Sequence, residues 1–305
     1  MIDGILNVYK EPGYTSFDVV AKMRGILKQK KIGHTGTLDP MAEGVLPVCM
    51  GKATKLVDML TLGTKEYRAV MQLGITTDTE DITGNVLSEG VLDSSVADAD
   101  VRDCIMSFVG KYDQIPPMYS AIKKDGKKLY EYARQGIEIE RTARPVEIFS
   151  IDNIVISRTE ISFDVHCSKG TYIRSLCRDI GDKLGCGATL KALTRSEAHG
   201  FKLEDALKLS EIEELRDSGK LSEYILPVDA LLSGYKRFAV KAEQQKYLMN
   251  GNKLFPRQLK AMDAANNEAV CDGEIIRVYS GNEFLALYQY EKSDNIYKPY
   301  KMFLG

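Results

Sequence analysis

The chain has 305 residues, of which 44% are hydrophobic and 28% are charged, a composition typical of an ordinary globular protein of about two domains. Its formal net charge of −2 excludes a global basic field, so any nucleic-acid partner must be held by local basic patches. No apolar run reaches the roughly 18 residues of a membrane span and no secretory leader is evident, so we expect a cytoplasmic protein without membrane association.

The first predicted elements are a strand and a helix. Residues 4–9 are predicted to form a short buried strand, and Thr15 or Ser16 can accept hydrogen bonds from the amides of the first helical turn. One face of the helix carries apolar residues at helical spacing, namely Val19, Val20, Met23, Ile26 and Leu27. The other face carries three cations, Lys22, Arg24 and Lys28. That charged face is either solvated or, since it leads into the next loop, directed toward a phosphate.

The most unusual stretch follows at residues 33–55, GHTGTLDPMAEGVLPVCMGKATK. A residue before proline is pushed out of the helical region, so Asp39 is predicted to lie in extended or turn backbone. The neighbouring glycines allow tight turns and the close approach of a ligand. A constrained loop that holds one carboxylate and one histidine, His34, is typical either of a site or of a tight surface turn.

Three elements are predicted after this loop. Residues 65–73 alternate as a strand does, with Tyr67 on the apolar face. Residues 76–84 predict an acidic, threonine-rich turn. Residues 101–110 predict an amphipathic helix whose inward side chains are Val101, Ile105, Phe108 and Val109.

Residues 115–144 combine cations with aromatic side chains. The cations are Lys123, Lys124, Lys127, Lys128, Arg134, Arg141 and Arg144, and the tyrosines among them are Tyr130 and Tyr132. Looped or single-stranded nucleic acid is bound by this combination, because cations hold phosphates and aromatic faces stack on bases. The alternative is a solvated helix with ordinary core tyrosines.

The second half of the chain predicts a strand pair and a helix. Residues 148–156 and 160–167 form the strands, and residues 172–184 form the helix. Arg174 lies in the first turn, where a cation is poorly placed for the helix dipole. It is therefore either paired with a carboxylate or a surface arginine whose stem covers apolar neighbours.

The remaining residues suggest a second domain. Residues 188–201 predict a loop with a short element, and residues 204–215 predict a helix. Pro227 and residues 233–235 mark a boundary between domains 1–235 and 236–305. The second domain is predicted to contain a short helix at 242–250 and a hairpin of residues 275–279 and 284–290.

Metal chemistry is not predicted. The six cysteines are scattered without a CxxC pair and there are only three histidines, so we expect reduced thiols and no metal. A lone catalytic carboxylate suggests nucleophilic attack, whereas ordinary glycoside hydrolysis uses two carboxylates. Glu43 is a candidate for the second carboxylate, and the sequence does not fix its position relative to Asp39.

These segments together resemble a known family. The loop GHTGTLDPMAEGVLPVCMGKATK resembles the signature of the TruB family of bacterial tRNA pseudouridine synthases. Further segments match in the family's order and spacing, across nearly all of residues 1–200: GILNVYKEPGYTS, KEYRAVMQLG with TTDTEDITG, PPMYSAIKKDGKKLYEYARQG, SKGTYIRSLCRDIG and LTRS. The tail resembles the family's small PUA-like C-terminal domain more loosely.

The resemblance implies an α+β fold and an isomerisation. The fold is a mixed, largely antiparallel sheet with flanking helices and a central RNA-binding cleft, followed by the β-rich PUA-like domain. The reaction converts one uridine of the tRNA T-loop, position 55 in tRNA numbering, into pseudouridine without any cofactor or metal. The implied partner is the T-stem-loop of tRNA, and we expect a monomer that needs no protein partner.

The resemblance also assigns catalytic roles. Asp39 matches the catalytic aspartate, which is either the nucleophile or the group that drives glycosidic cleavage. Arg174 matches the arginine that pairs with this aspartate and orients it. Tyr67 matches the tyrosine that stacks on the target base and serves in proton transfer.

Other positions match residues that contact RNA or support the site. His34 matches the histidine that assists base flipping, and Leu193 an apolar residue that lines the pocket. Lys10 matches a lysine that supports the active site, although here the motif is Lys10-Glu11-Pro12-Gly13 where the family has Lys-Pro-x-Gly. Residues 115–144 match the mobile insertion that clamps the T-stem-loop, and its predicted RNA contacts are Lys123, Lys127, Lys128, Arg134 and Arg144.

Two other functions are compatible with parts of the pattern. One is a tRNA-binding folding helper with incidental catalysis, and the other is a nucleosidase that releases free uracil. A pure binder has no need for Asp39, Tyr67 and Arg174 together, and the chain carries all three.

Overall fold

The structure is a computed structural model that describes residues 1–263 and 270–304. Its helices are α1 (Ser16–Leu27), α2 (Val57–Leu60), α3 (Asp98–Met106), α4 (Leu129–Ala133), α5 (Ile173–Lys183), α6 (Leu209–Asp217) and α7 (Gln245–Met249). In residues 1–202 the strands are β1 (Gly4–Lys10), β2 (Ile32–His34), β3 (Glu43–Met50), β4 (Lys65–Leu73), β5 (Ile75–Thr77), β6 (Val86–Glu89), β7 (Gly110–Gln114), β8 (Lys123–Lys124), β9 (Lys127–Lys128), β10 (Arg144–Ile156), β11 (Glu160–Cys167), β12 (Ala188–Ala198) and β13 (Phe201–Lys202). The later strands are β14 (Lys236–Val240), β15 (Leu259–Ala261), β16 (Ile275–Ser280), β17 (Glu283–Glu291) and β18 (Ile296–Met302).

A mixed sheet forms the centre of the larger part of the molecule. Its strand order is β1-β3-β12-β4-β11-β10-β7, with β13 added to β12 and β2 added to β3. The pairing of β12 with β3 is parallel, and the other pairings given for this sheet are antiparallel. Helices α3 and α5 pack on one face, over a buried cluster that includes Met71, Phe163 and Leu176. This arrangement confirms the predicted fold class.

A second sheet is built by the last part of the chain. Its strand order is β15-β14-β16-β17-β18, and β14 pairs with β16 in parallel. Leu287 and Phe303 of this part share a buried cluster with Ile5 and Val45 of the larger sheet. The two sheets therefore pack against each other through apolar side chains.

Several predicted elements agree closely with the structure. Thr15 caps α1, where its hydroxyl accepts from the Asp18 amide and the Asp18 carboxylate accepts from the Thr15 amide. The strand predicted over 65–73 is β4, and its buried and exposed residues alternate as expected. The predicted helix over 172–184 is α5, and the predicted C-terminal hairpin consists of β16 and β17.

The prediction of a loop and short element at residues 188–201 is wrong. Most of this segment is β12, an eleven-residue strand between β3 and β4. Register shifts between Leu190 and Ala192 and between Arg195 and Glu197 interrupt the alternation that identifies a strand in a sequence. The strand lies close to β3 at Gly44, where φ is 105° and an added Cβ would lie 2.4 Å from the Arg195 carbonyl oxygen.

Other boundaries also differ from the predictions. The helix expected over 101–110 is α3, which ends at Met106; Val109 is 39% exposed and Gly110 begins β7. The first two residues of the turn predicted at 76–84 belong to β5, which pairs with β6. Helix α6 begins at Leu209 rather than at 204, after a short 3₁₀ turn. The strand predicted from residue 148 begins at Arg144.

Within residues 1–263 and 270–304, no helix is both long enough and apolar enough to cross a membrane.

Candidate active site

Asp39 lies in the loop between β2 and β3, where the backbone is neither helix nor strand, as predicted. The loop is fixed through its main chain. The Leu38 amide donates to the Ser16 hydroxyl at 2.8 Å, and the Gly13 amide donates to the Pro40 carbonyl at 2.8 Å. These bonds attach the loop to the start of α1. The position of the loop therefore does not depend on the Asp39 side chain.

Lys10 also binds this loop, and its side chain has no exposed surface. Its ammonium donates to the carbonyls of Ala42 at 2.5 Å, Pro40 at 3.2 Å and Glu11 at 3.3 Å. Burial lowers the pKa of Lys10 to about 8, although the nearby Asp39 carboxylate acts in the opposite direction. The displaced proline of the first motif therefore leaves Lys10 in contact with the loop.

We expect the stability contribution of Lys10 to depend on pH. The unfolded lysine keeps its proton to pH 10.5, whereas the folded one loses it near pH 8. Between these values the unfolded state binds more protons, so stability rises with pH. Relative to Lys10→Met, the wild-type free energy of unfolding should rise by roughly 1–3 kcal/mol across this window. Urea denaturation of the wild type and of Lys10→Met from pH 7 to 10.5 measures both free energies of unfolding. If the two free energies changed in parallel with pH, the prediction would be contradicted.

Arg174 forms an ion pair with Asp39. Its Nε lies 2.8 Å from Oδ2, without the alignment of a linear hydrogen bond, and its Nη2 donates to Oδ1 at 3.1 Å. The arginine side chain is 4% exposed and the aspartate side chain is 33% exposed. One side of the carboxylate therefore meets a buried cation, while the other stays open to a substrate.

The same guanidinium connects two more segments. Nη1 donates to the Thr79 carbonyl at 2.7 Å and lies 3.9 Å from Asp81 Oδ2. Nη2 also donates to the Tyr119 carbonyl at 3.0 Å. Sequence reasoning placed Arg174 opposite a carboxylate but did not identify Asp81, which is buried in the turn after β5.

Tyr67 projects from β4 beside a second buried arginine, Arg195. The two residues are cross-strand partners between β4 and β12. Arg195 is 1% exposed and donates to the carbonyls of Val45 at 2.7 Å and Gly36 at 3.2 Å. Burial raises the pKa of the Tyr67 phenol, so it is neutral at physiological pH.

Sequence reasoning missed Arg195. It stands two residues after Leu193 in LTRS, so both project to the same face of a strand. A cation on an apolar face was the available signal, and the segment was not predicted as a strand.

His34 and Leu193 are both near residues that surround Tyr67. His34 is half-buried on β2, and burial followed by the nearby charge of Arg195 lowers its pKa, which favours the neutral imidazole. Leu193 is 7% exposed and belongs to the buried cluster that contains Leu38 and Tyr67. Leu193 therefore belongs to the same buried cluster as Tyr67 and Leu38, and His34 lies within electrostatic range of Arg195.

The predicted RNA contacts of residues 115–144 lie on a segment that includes a small hairpin and a short helix, β8, β9 and α4. Strands β8 and β9 carry the four lysines as a small hairpin. Four of the predicted contacts are exposed and Lys128 is half-buried; the exposed ones are Lys123, Lys127, Arg134 and Arg144. Tyr130 and Tyr132 are half-buried, with cations 5.2–5.9 Å from their ring centres. The segment presents a cationic surface and reaches the ion pair through the Tyr119 carbonyl.

Glu43, the possible second carboxylate, is engaged in structural hydrogen bonds. It accepts from the Tyr9 hydroxyl at 2.8 Å and from the Thr194 hydroxyl at 3.0 Å. Among the residues that the structure describes, no group of three histidine, cysteine or acidic side chains could hold a metal ion. The six cysteines are free thiols.

Two family profiles match the chain. Residues 24–173 match the N-terminal domain of TruB family pseudouridylate synthases, and residues 174–233 match the C-terminal domain of tRNA pseudouridylate synthase B. The tRNA pseudouridine synthase B of Lachnoclostridium phytofermentans is 50% identical over 99% of this chain and 100% of that protein. The protein of the same name from Alkaliphilus oremlandii is 46% identical over 93% of this chain and 92% of that one.

Solved structures share the fold. A chain of a Cbf5–Nop10–Gar1 complex is 26% identical, with a TM-score of 0.73 over 99% of this chain and 85% of that one. A chain of an H/ACA ribonucleoprotein bound to a substrate RNA containing 2′-deoxyuridine is 24% identical, with a TM-score of 0.72 over 99% of this chain and 85% of that one. The second likeness concerns the fold alone.

Proposed function

The chain belongs to the TruB family of pseudouridylate synthases, and we therefore propose that it isomerises uridine to pseudouridine in tRNA, at position 55 of the T-loop. The observation that carries the proposal is the Asp39 carboxylate, a third of which is exposed, held by the buried Arg174 guanidinium. A tRNA-folding helper without catalysis would have no use for this pair. The folding-helper alternative is therefore not favoured.

In the proposed reaction the N1–C1′ bond of the uridine breaks and a C5–C1′ bond forms. The proton on C5 leaves to water and N1 gains a proton, so the reaction is balanced without a cofactor. Asp39 drives the cleavage, and Arg174 fixes the direction of its carboxylate. Because Arg174 is also bonded to the Thr79 and Tyr119 carbonyls, it cannot follow the carboxylate if that moves.

We propose that three neighbouring side chains contact the target uracil base. Tyr67 provides an aromatic face and a neutral phenol, since burial raises its pKa. His34 assists the flipped state as a neutral imidazole, and Leu193 lines the pocket. Extrusion of a base costs a few kcal/mol, which contacts of this kind offset.

Tritium release tests the function directly. A T-stem-loop RNA carrying tritium at C5 of its uridines is mixed with the protein, without added metal or cofactor. We expect one equivalent of tritium per RNA to appear in water. Tight binding without release would reject the isomerase, and free uracil among the products would indicate a nucleosidase.

We propose that the cations of residues 115–144 bind phosphates of the T-stem-loop, and the salt dependence of binding tests this. Lys123 and Lys127 are exposed on neighbouring strands. Replacing both by alanine should reduce the slope of log K against log salt by about 1.5, since each phosphate contact contributes roughly 0.7–0.9. Filter binding at KCl concentrations from about 50 to about 300 mM measures this slope. Lys220→Ala, an exposed lysine beyond α6, is the control and should leave it unchanged.

We further propose that the chain consists of a catalytic domain of residues 1–235 and a PUA-like domain of residues 236–305, and that it acts as a cytoplasmic monomer. The separate sheet formed by β14 to β18 supports the division. Light scattering at assay concentrations checks the monomer.

A further inference from the structure

A buried carboxylate outside the Asp39–Arg174 pair lies where three segments of the chain meet. Glu80 follows β5, and only 7% of its surface is exposed. Its φ of 62° is in the left-handed region, which a residue with a Cβ rarely adopts. The neighbouring backbone holds it in place, because the Leu190 amide of β12 donates to the Glu80 carbonyl at 3.1 Å.

The Glu80 carboxylate is bound on both oxygens. Oε2 accepts from the Ser175 hydroxyl at 2.5 Å, and Oε1 forms an ion pair with Arg178, so one carboxylate bridges two positions of α5. Arg141 places its Nη1 3.7 Å from the same Oε1. Two arginines from different segments therefore converge on one buried oxygen.

These two arginines hold the base of the insertion formed by residues 115–144. Arg178 donates to the Ile115 carbonyl at 3.0 Å, and Arg141 donates to the Pro116 carbonyl at 3.1 Å. Ile115 and Pro116 begin the insertion, and Arg141 lies near its end. Both ends of the insertion are thus attached around the Glu80 carboxylate.

Glu80 is also adjacent to the contacts of Arg174. The residue before it, Thr79, provides the carbonyl that accepts from Arg174, and the residue after it, Asp81, lies 3.9 Å from the same guanidinium nitrogen. From the other side, Tyr119 of the insertion accepts from Arg174. A displacement of the insertion therefore reaches Arg174 along two routes, one direct and one through the turn that holds Glu80.

We propose that Glu80 is a positioning residue that couples the insertion to the catalytic pair, so that RNA held by the insertion sets the orientation of Arg174 against Asp39. This inference rests on the proposed function. In this proposed role Glu80 does not touch the substrate. It acts through Arg141 and Arg178 on the insertion and through residues 79–81 on Arg174.

Glu80→Gln removes the charge and keeps the shape of the side chain. In single-turnover tritium release at saturating enzyme, we expect the rate to fall about tenfold, while the Kd of the T-stem-loop changes less than about threefold. Glu160→Gln, which neutralises the surface ion pair with Lys191, is the matched control and should keep the wild-type rate. An inactive wild type would reject the proposed function; an active wild type with an equally fast Glu80→Gln would reject only the coupling.

A double-mutant cycle separates coupling from a general loss of stability. Arg141→Met, at a partly exposed position, should slow the rate about fivefold without changing the melting temperature by more than a few degrees. If both side chains act through one contact, the double variant should be only about tenfold slower than wild type. A rate near the product of the two effects, about fiftyfold, would overturn the proposal. If Glu80→Gln does not fold, an unchanged rate in Arg141→Met overturns it instead.

Discussion

Asp39→Asn is expected to abolish pseudouridine formation, lowering the rate by on the order of 10⁴-fold or more, while T-stem-loop binding survives. Asparagine has nearly the shape of aspartate and can still accept from Arg174, but it has no charge with which to drive glycosidic cleavage. The loop itself is held by Ser16 and Lys10 through main-chain atoms. The variant should therefore fold, with a loss of about 1 kcal/mol, because the aspartate is a third exposed and its ion pair is screened.

Single-turnover tritium release with both proteins measures the loss, and filter binding measures the retained affinity. Asp217→Asn, which neutralises an exposed carboxylate at the end of α6, is the matched control and should be as active as wild type. Substantial turnover by Asp39→Asn would remove Asp39 from the chemistry and leave it as a turn residue before proline.

Much of the fold was predictable because local signals agreed with tertiary packing. The alternation of β4 and the capping of α1 are visible in the sequence since each depends on residues close together in the chain. β12 was not predictable in the same way. Two register shifts break its alternation, and its place at the centre of the sheet depends on strands far from it in sequence.

Some residues of the site were likewise predictable from local sequence signals, and others were not. Asp39 and Arg174 stand out through an unusual loop and an ill-placed helical cation, and the structure brings them together across 135 positions. Glu80 does not stand out, because nothing local indicates that its charged side chain will be buried. Arg195 would stand out only if residues 188–198 were first recognised as a strand, which places Arg195 on the same face as Leu193. The partners of Arg195 are carbonyls of Gly36 and Val45, which any residue could provide. Such residues become visible only when burial and hydrogen bonds are known.

Arg174→Lys is expected to slow pseudouridine formation by about 10²-fold or more with the fold intact. The guanidinium faces both oxygens of Asp39 and also donates to the Thr79 and Tyr119 carbonyls, so one planar group spans three segments. An ammonium carries its donors on a single atom and cannot reach these acceptors together. Loss of one charge-assisted hydrogen bond of roughly 1.5–3 kcal/mol corresponds to about 10–10²-fold in rate, and more than one is lost here.

The variant keeps the positive charge, so the comparison isolates geometry from electrostatics. If a positive charge alone were sufficient, Arg174→Lys would turn over at nearly the wild-type rate. The geometry of the guanidinium would then have no part in catalysis. Arg102→Lys is the matched control, because Arg102 lies on α3, outside the site, and donates to the Ile154 carbonyl of β10. Thermal melting of both variants shows whether the rate loss comes with unfolding. A stable Arg174→Lys that binds RNA but reacts slowly is the result that places the orientation of Asp39, rather than its neutralisation by a nearby cation, at the centre of catalysis.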